Sequence, residues 1–286
     1  MTLLRLSRPV HLLLAALTYF LGASIADYLG KPFRADSFFL GLVGILFTQL
    51  AMSLLPEVFR LDAEPLLESE TRRERQTLRN NALYISITSL AANAFIAFLL
   101  YFNRSLNLLS FLFLFLSLLL LLANSLPPFR NRGFGELLLT AQMAYVFPST
   151  AYVLQSGETH RFLALATPLA CLAFSYFTVM DFPSFASDRK YDRVTFLTRL
   201  GWERVVPLHH ALVLLAYLLL AASPSFGLSI SLIWPVFLTL PFALFQIVQL
   251  RNISLGATPN WTLLGANALA VFGLATYFLT LTFWLR

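Results

Sequence analysis

The chain has 286 residues, of which 58 % are hydrophobic and only 12 % are charged, with a formal net charge of +6. Soluble domains carry about a quarter charged residues, so this composition excludes an ordinary soluble protein and predicts an integral membrane protein. No hydrophilic stretch is long enough to fold separately, so we expect a single domain over residues 1–286. No nucleic-acid partner is expected, whereas membrane lipid surrounds such a chain.

Apolar stretches of bilayer length recur along the whole sequence. A helix needs about 17 to 25 apolar residues to cross the hydrocarbon core, and nine stretches meet this requirement. The sequence therefore predicts an all-α polytopic bundle of about nine transmembrane helices. The predicted spans are 10–27, 38–59, 82–102, 105–124, 137–155, 161–180, 206–222, 229–250 and 261–285.

The distribution of basic residues predicts the orientation of these helices. With nine spans, the N-terminus and every second loop lie on one side, and 15 of the 20 Lys and Arg residues fall there. Because basic loops stay in the cytoplasm, we place the N-terminus and both long charged loops, 60–81 and 181–205, on that side. The location expected is the bacterial plasma membrane.

The first charged segment is SLLPEVFRLDAEP, residues 53–65, at the end of the second span. If the helix continues through it, Glu57, Arg60 and Glu64 share one face at spacings i, i+3 and i+7, with Asp62 on another side.

The second charged segment is DFPSFASDRKYD, residues 181–192, after the sixth span. Asp181, Asp188 and Asp192 are spaced i, i+7 and i+11, again one helical face. Pro183 favours a helix that starts at 181 over one that runs through from 180.

Two carboxylate clusters on one side of the bundle indicate paired magnesium sites, because Mg²⁺ takes oxygen ligands and is usually shared with substrate phosphates. Neighbouring arginines could neutralise a departing pyrophosphate. From spacing alone, structural ion pairs at helix ends are the better explanation of the same residues. Glu136 lies at the start of a helix, where a carboxylate interacts favourably with the helix dipole. We therefore interpret it as a helix-capping residue. The arginines concerned are Arg60, Arg130, Arg132, Arg189 and Arg193.

Three segments in order carry a family resemblance. The chain opens with LSRPVHLLLAALTYFLGA, continues with NSLPPFRNRGFGELLLT at 124–140, and then has DRKYDRVTFLTRLG at 188–201. Together they resemble the UbiA superfamily of intramembrane aromatic prenyltransferases, nearest to the branch that prenylates dihydroxynaphthoate in menaquinone synthesis. That family shows an Arg-Pro start, a Pro-Pro stretch ending in Gly-x-Gly-Glu, and a tail of the form Asp-Arg-x-x-Gly-Lys-x-Thr-Leu.

The resemblance implies a nine-helix enzyme with two aspartate-rich motifs that hold Mg²⁺ and a prenyl pyrophosphate, from which the prenyl chain passes to an aromatic acceptor. Carried over by position, it implies Glu57 and Asp188 as catalytic residues. It also implies magnesium ligands and pyrophosphate-binding arginines. The ligands are Glu57, Asp62, Asp181 and Asp188, and the arginines are Arg60, Arg130, Arg189 and Arg193.

The chain departs from the family motifs at several positions. The first motif, Asn-x-x-x-Asp-x-x-Asp, falls on Ser53, Glu57 and Arg60, so only its middle acid remains. In the second motif, Asp-x-x-x-Asp, the first acid falls on Ser184 and the second on Asp188. These departures motivate an alternative, a catalytically altered homologue that binds prenyl or quinone lipids. A transporter is disfavoured because charges are nearly absent from the middle of the spans.

Overall fold

A computed structural model describes residues 2–60, 71–127 and 132–286. Within these ranges every regular element is helical and there is no β-strand. Nine helical segments of the described chain are long and apolar enough to cross a membrane. The all-α class and the nine spans predicted from the sequence are therefore confirmed, and the chain is an integral membrane protein.

The nine segments are labelled α1 to α9 in chain order. Short helices precede two of them, at Thr2–Leu6 before α1 and at Phe196–Leu200 before α7. The segments are α1 Pro9–Tyr28, α2 Ala35–Val58, α3 Arg72–Phe102, α4 Leu108–Ser125, α5 Gly135–Ser156, α6 Arg161–Lys190, α7 Trp202–Ser225, α8 Ile230–Ser254 and α9 Trp261–Trp284.

Helix α3 begins ten residues earlier than the apolar pattern over 82–102 predicts. Thr71 and Glu74 form a capping box, in which the Glu74 amide donates to Thr71 Oγ1 at 3.2 Å and the Thr71 amide donates to Glu74 Oε2 at 2.8 Å. These bonds satisfy amides that have no partner inside the helix. The first turns of α3 are polar, so hydropathy alone could not locate this start.

The end of α6 is built from three helical pieces. The α-helix Ala166–Asp181 is followed by a 3₁₀ turn at Phe182–Ser184 and by the short helix Phe185–Lys190. The expectation that Asp181, Asp188 and Asp192 share one helical face is wrong, because the helix geometry changes after Asp181 and Asp192 lies beyond the last piece.

Helix α1 packs on both α5 and α9, and α2 packs on both α3 and α4. Helices α5 and α6 are central, with 72 % of their apolar windows buried, against 22 % for the outer helix α3. At the end of the bundle opposite the acidic segments, Lys31 Nζ lies 2.6 Å from Glu158 Oε1. This hydrogen-bonded pair raises the pKa of Lys31 and lowers the pKa of Glu158.

Candidate active site

A cavity of about 420 Å³ lies where the ends of α2, α4 and α6 meet the starts of α1 and α5. Polar and charged side chains from five parts of the chain reach it. They are Arg8, His11, Ser53, Glu57, Asn124, Glu136, Asp181, Asp192, Arg193 and Thr195. The structure thus brings the two acidic segments together around one cavity, which we call the polar cavity.

Glu57 reaches the polar cavity from the last turn of α2. The helix ends at Val58, one residue later, so it does not continue through the acidic segment. The Glu57 side chain is buried, and its Oε2 contacts the Nε of Arg60. The backbone carbonyl of Arg60 in turn accepts a hydrogen bond from the Arg79 side chain. Arg60 therefore neutralises Glu57 from outside the lining of the cavity.

Asp188 lies behind the polar cavity. Its side chain is 3 % exposed, and it is not among the residues that line the cavity. Asp188 Oδ2 accepts a hydrogen bond from Ser184 Oγ at 2.8 Å, and Oδ1 lies 3.5 Å from Arg193 Nη1. Asp188 thus holds Arg193, which does line the cavity.

A turn at Asp192 directs Arg193 toward the cavity. Asp192 has a φ of 52°, and the Arg193 amide donates to the Asp188 carbonyl at 2.8 Å. This is the Schellman arrangement that ends many helices, in which the left-handed residue is usually glycine. The family pattern also has glycine at this position. Aspartate can adopt the left-handed conformation at moderate cost, so the same turn forms here.

This turn gives a stability prediction. We expect Asp192→Gly to be more stable than Asp192→Ala by about 1 kcal/mol, because only glycine adopts a positive φ without a Cβ clash. Thermal unfolding of both variants in detergent measures the difference. Equal unfolding temperatures for the two variants would contradict the role assigned to the turn.

Glu136 and Asp181 are two carboxyl side chains that line the polar cavity from α5 and α6. Glu136 Oε1 accepts a hydrogen bond from the Phe196 amide at 2.9 Å, so it caps the neighbouring helix Phe196–Leu200. Its Oε2 and Asp181 Oδ2 are buried and accept no hydrogen bond within the described chain.

A second cavity of about 570 Å³ adjoins the first between α1, α6 and α9. Arg8, His11, Asp181 and Arg193 line both cavities. The rest of its lining is mainly apolar, and we call it the apolar cavity. Its further residues are Pro9, Val10, Tyr176, Met180, Ser184, Trp261, Thr262, Gly265, Ala266 and Leu269.

The residues implied by the family resemblance fall into two groups, those that line the polar cavity and those that contact the lining from behind. Glu57, Asp181 and Arg193 line the polar cavity, while Arg60 and Asp188 contact two of these side chains from behind. Within the parts of the chain that the structure describes, no three His, Cys, Asp or Glu side chains gather closely enough to form a metal-ligand group.

Of the remaining residues, one lies away from the cavity and two are not described by the structure. Arg189 is exposed and its Cζ lies 5.7 Å from the centroid of the Phe185 ring. Asp62 and Arg130 fall outside the described residues.

Sequence reasoning missed Arg8, His11 and Glu136 as lining residues. The Arg-Pro start and the Gly-x-Gly-Glu stretch of the family resemblance already contained Arg8 and Glu136, so a signal for these two was present. His11 carried none, because a lone histidine near a helix end has no distinguishing pattern.

Comparison with solved structures identifies the architecture. A UbiA homolog from Archaeoglobus fulgidus superposes with a TM-score of 0.65 at 16 % identity, covering 100 % of both chains. The chain has the UbiA fold. The same homolog bound to GPP and Mg²⁺ gives a TM-score of 0.61 at 16 % identity, covering 98 % of this chain and 99 % of that one.

A solved structure of a digeranylgeranylglyceryl phosphate synthase superposes with a TM-score of 0.66 at 15 % identity, covering 99 % of this chain and 96 % of that one. No protein-family model and no curated protein matches the sequence.

Proposed function

We propose that this protein is an integral membrane prenyltransferase of the UbiA superfamily, which transfers a prenyl chain from a prenyl pyrophosphate to an aromatic, dihydroxynaphthoate-like quinone precursor. The observation that carries the proposal is the junction of an acid- and arginine-lined cavity with an apolar one. The homolog of the same fold bound to GPP and Mg²⁺ supports the class of donor. The acceptor rests on the sequence resemblance to the dihydroxynaphthoate branch.

The two cavities suit the two parts of a prenyl pyrophosphate. The pyrophosphate would lie in the polar cavity against Arg193 and Arg8, while the prenyl chain would extend into the apolar cavity. Arginine is well matched to phosphate oxygens because its planar fork donates two parallel hydrogen bonds. Arg60, Arg130 and Arg189 remain the other predicted pyrophosphate-binding residues.

The carboxylates of the polar cavity fit a divalent cation, because buried oxygens of Glu136 and Asp181 have no hydrogen-bond donor within the described residues. Glu57 and Asp181 are the proposed ligands, with Asp62 as a predicted third. When bound, Mg²⁺ would neutralise charge on the departing pyrophosphate. We propose that Asp188, first predicted as a ligand, acts instead as a positioning residue through Arg193.

The reaction breaks one C–O bond and forms one C–C bond. The bond between the prenyl carbon and the pyrophosphate oxygen breaks, and pyrophosphate leaves with the electron pair. A ring carbon of the acceptor attacks the allylic cation, and the ring then loses a proton. Arg193 stabilises the charge that develops on the leaving group, which is where a fixed cation has its largest effect on rate.

The membrane side follows from the positive-inside pattern. Both charged segments belong to the arginine-rich side, so the polar cavity is proposed to open to the cytoplasm of a bacterial cell. One domain over 1–286 would then provide the whole site, with water-soluble pyrophosphate released on one side and the prenyl chain kept in the bilayer.

Product formation by the purified protein tests this function. The protein in detergent is incubated with Mg²⁺, a long-chain prenyl pyrophosphate and dihydroxynaphthoate, and the prenylated product is measured by mass spectrometry. We expect product from the wild type and from an active UbiA-family control run in parallel. Product from the control alone would contradict the specific reaction proposed here.

The departures from the acidic motifs favour one alternative, a non-catalytic binder of prenyl or quinone lipids. Arg60 neutralises Glu57, and Ser184 is bonded to Asp188 where the family has an acid. A non-catalytic binder would retain the prenyl pyrophosphate in equilibrium dialysis and would form no product in the mass-spectrometric assay. Cellular quinone content would then be unchanged by Asp188→Ala.

A further inference from the structure

Glu136 is the acidic residue of the polar cavity that belongs to neither acidic segment. It lies in the first turn of α5, 6 % exposed, and lines the polar cavity together with Asp181, the last residue of the α-helix Ala166–Asp181. The two residues are far apart in the sequence. The packing of α5 on α6 brings both of them to the polar cavity.

Two buried carboxyl groups in one cavity need a proton or positive charge to compensate them. An ionised carboxylate only accepts hydrogen bonds, so two of them repel at close range. Glu136 Oε2 and Asp181 Oδ2 are both buried, and neither accepts a hydrogen bond within the described chain. Arg8 and Arg193 line the same cavity and offset part of the negative charge, and a shared proton or a bound cation would offset the rest.

The second acidic segment has lost one carboxylate near this point. Ser184 stands where the family motif has its first acid, and its hydroxyl donates to Asp188 Oδ2 and to the Asp181 carbonyl. A serine bonded in this way adds no negative charge to the cavity. Glu136, on α5, adds one negative charge to the cavity that Asp181 also lines.

We propose that Glu136 and Asp181 together hold a divalent cation of the Mg²⁺ class, with Glu136 supplying the carboxylate that Ser184 lacks. This rests on the proposed function, because the cation would share its coordination with the pyrophosphate. Mg²⁺ is commonly held by one or two carboxylates, with water and phosphate oxygens completing its shell. The two carboxylates of one cavity meet that requirement without a third protein ligand.

Glu136→Gln removes the negative charge of Glu136 and keeps the size and shape of the side chain. Glutamine keeps the Oε1 acceptor that caps the Phe196 amide, so the neighbouring helix retains its hydrogen bond. Asp181→Asn removes the charge on the other side of the pair. Glu203→Gln is the matched control, because Glu203 is exposed in the first turn of α7 and does not line either cavity.

Mn²⁺ binding, followed by electron paramagnetic resonance of the free ion, measures the site directly. It is titrated into the purified protein alone and with inorganic pyrophosphate. We expect the wild type and Glu203→Gln to bind alike, and Glu136→Gln and Asp181→Asn to bind about tenfold or more weakly.

Two results would overturn the proposal. Unchanged Mn²⁺ affinity in Glu136→Gln would show that Glu136 is not a ligand. No Mn²⁺ binding by the wild type under either condition would indicate that the carboxyl pair shares a proton. Prenylated product from the wild type in either case would leave the proposed function standing, so the two failures are distinguishable.

Discussion

Arg193→Gln is expected to lower the rate of prenyl transfer by about 100- to 1,000-fold, which is the usual cost of removing one preorganised group that stabilises developing charge. Arg193 lines both cavities and lies beside Asp188, so glutamine removes the cation at the point where pyrophosphate would leave. The decrease should fall mainly on kcat, because charge on the leaving group grows in the transition state.

Arg204→Gln is the matched control for this change. Arg204 is exposed in the first turn of α7, at the same end of the bundle, and does not line either cavity, so we expect wild-type kinetics. Asp188→Asn should also reduce kcat, but adding it to Arg193→Gln should cost little more, because Asp188 acts by holding Arg193. Additive losses in the double variant would contradict that positioning role.

Gly22→Ala is expected to destabilise the bundle by at least about 3 kcal/mol, at the upper end of overpacking penalties. A Cβ on Gly22 would lie 1.9 Å from the Pro148 carbonyl oxygen and 2.6 Å from its carbonyl carbon. These are backbone atoms of α5, so no side-chain rotation relieves the contact. Helices α1 and α5 would have to separate, which disrupts a close approach of the kind that small residues permit in membranes.

Gly265→Ala provides the comparison within the same protein. Its Cβ would meet the Met180 sulfur at 3.6 Å, an ordinary contact, in a regular helical stretch of α9. Alanine there should stabilise by about 0.5–1 kcal/mol through helix propensity. The midpoint of unfolding in mixed detergent and SDS measures both variants. A Gly22→Ala midpoint equal to that of the wild type would show that the helices separate without cost.

The nine spans were predictable because each one repeats the same physical requirement, a run of apolar residues of bilayer length. The start of α3 was not, since a capping box at Thr71 carries α3 into polar sequence that hydropathy treats as a loop. The convergence of residues 53–57 with 181–193 was predictable from family resemblance. Spacing alone could not show it, because the segments are far apart in the chain.

The functional details depend on contacts that have no local signature. The pattern of aspartates at 181, 188 and 192 indicated one helical face, yet Asp192 adopts a left-handed conformation that ends the helix. Asp188 is predicted to bind metal from the family resemblance, and only the structure shows that Ser184 and Arg193 contact its carboxylate. Glu136 has a helix-start pattern in sequence, and only tertiary packing brings it to the same cavity as Asp181.

The ionisable lining of the polar cavity has a consequence for how ligands enter it. Four acids and two arginines line it, so its formal net charge is −2. The acids are Glu57, Glu136, Asp181 and Asp192, and the arginines are Arg8 and Arg193. Even with Arg60 counted against Glu57, the balance is −1. A pyrophosphate is itself an anion, so it would be repelled unless positive ions came with it. Occupancy by the donor is thus thermodynamically linked to the concentration of divalent cation, and each would strengthen the binding of the other.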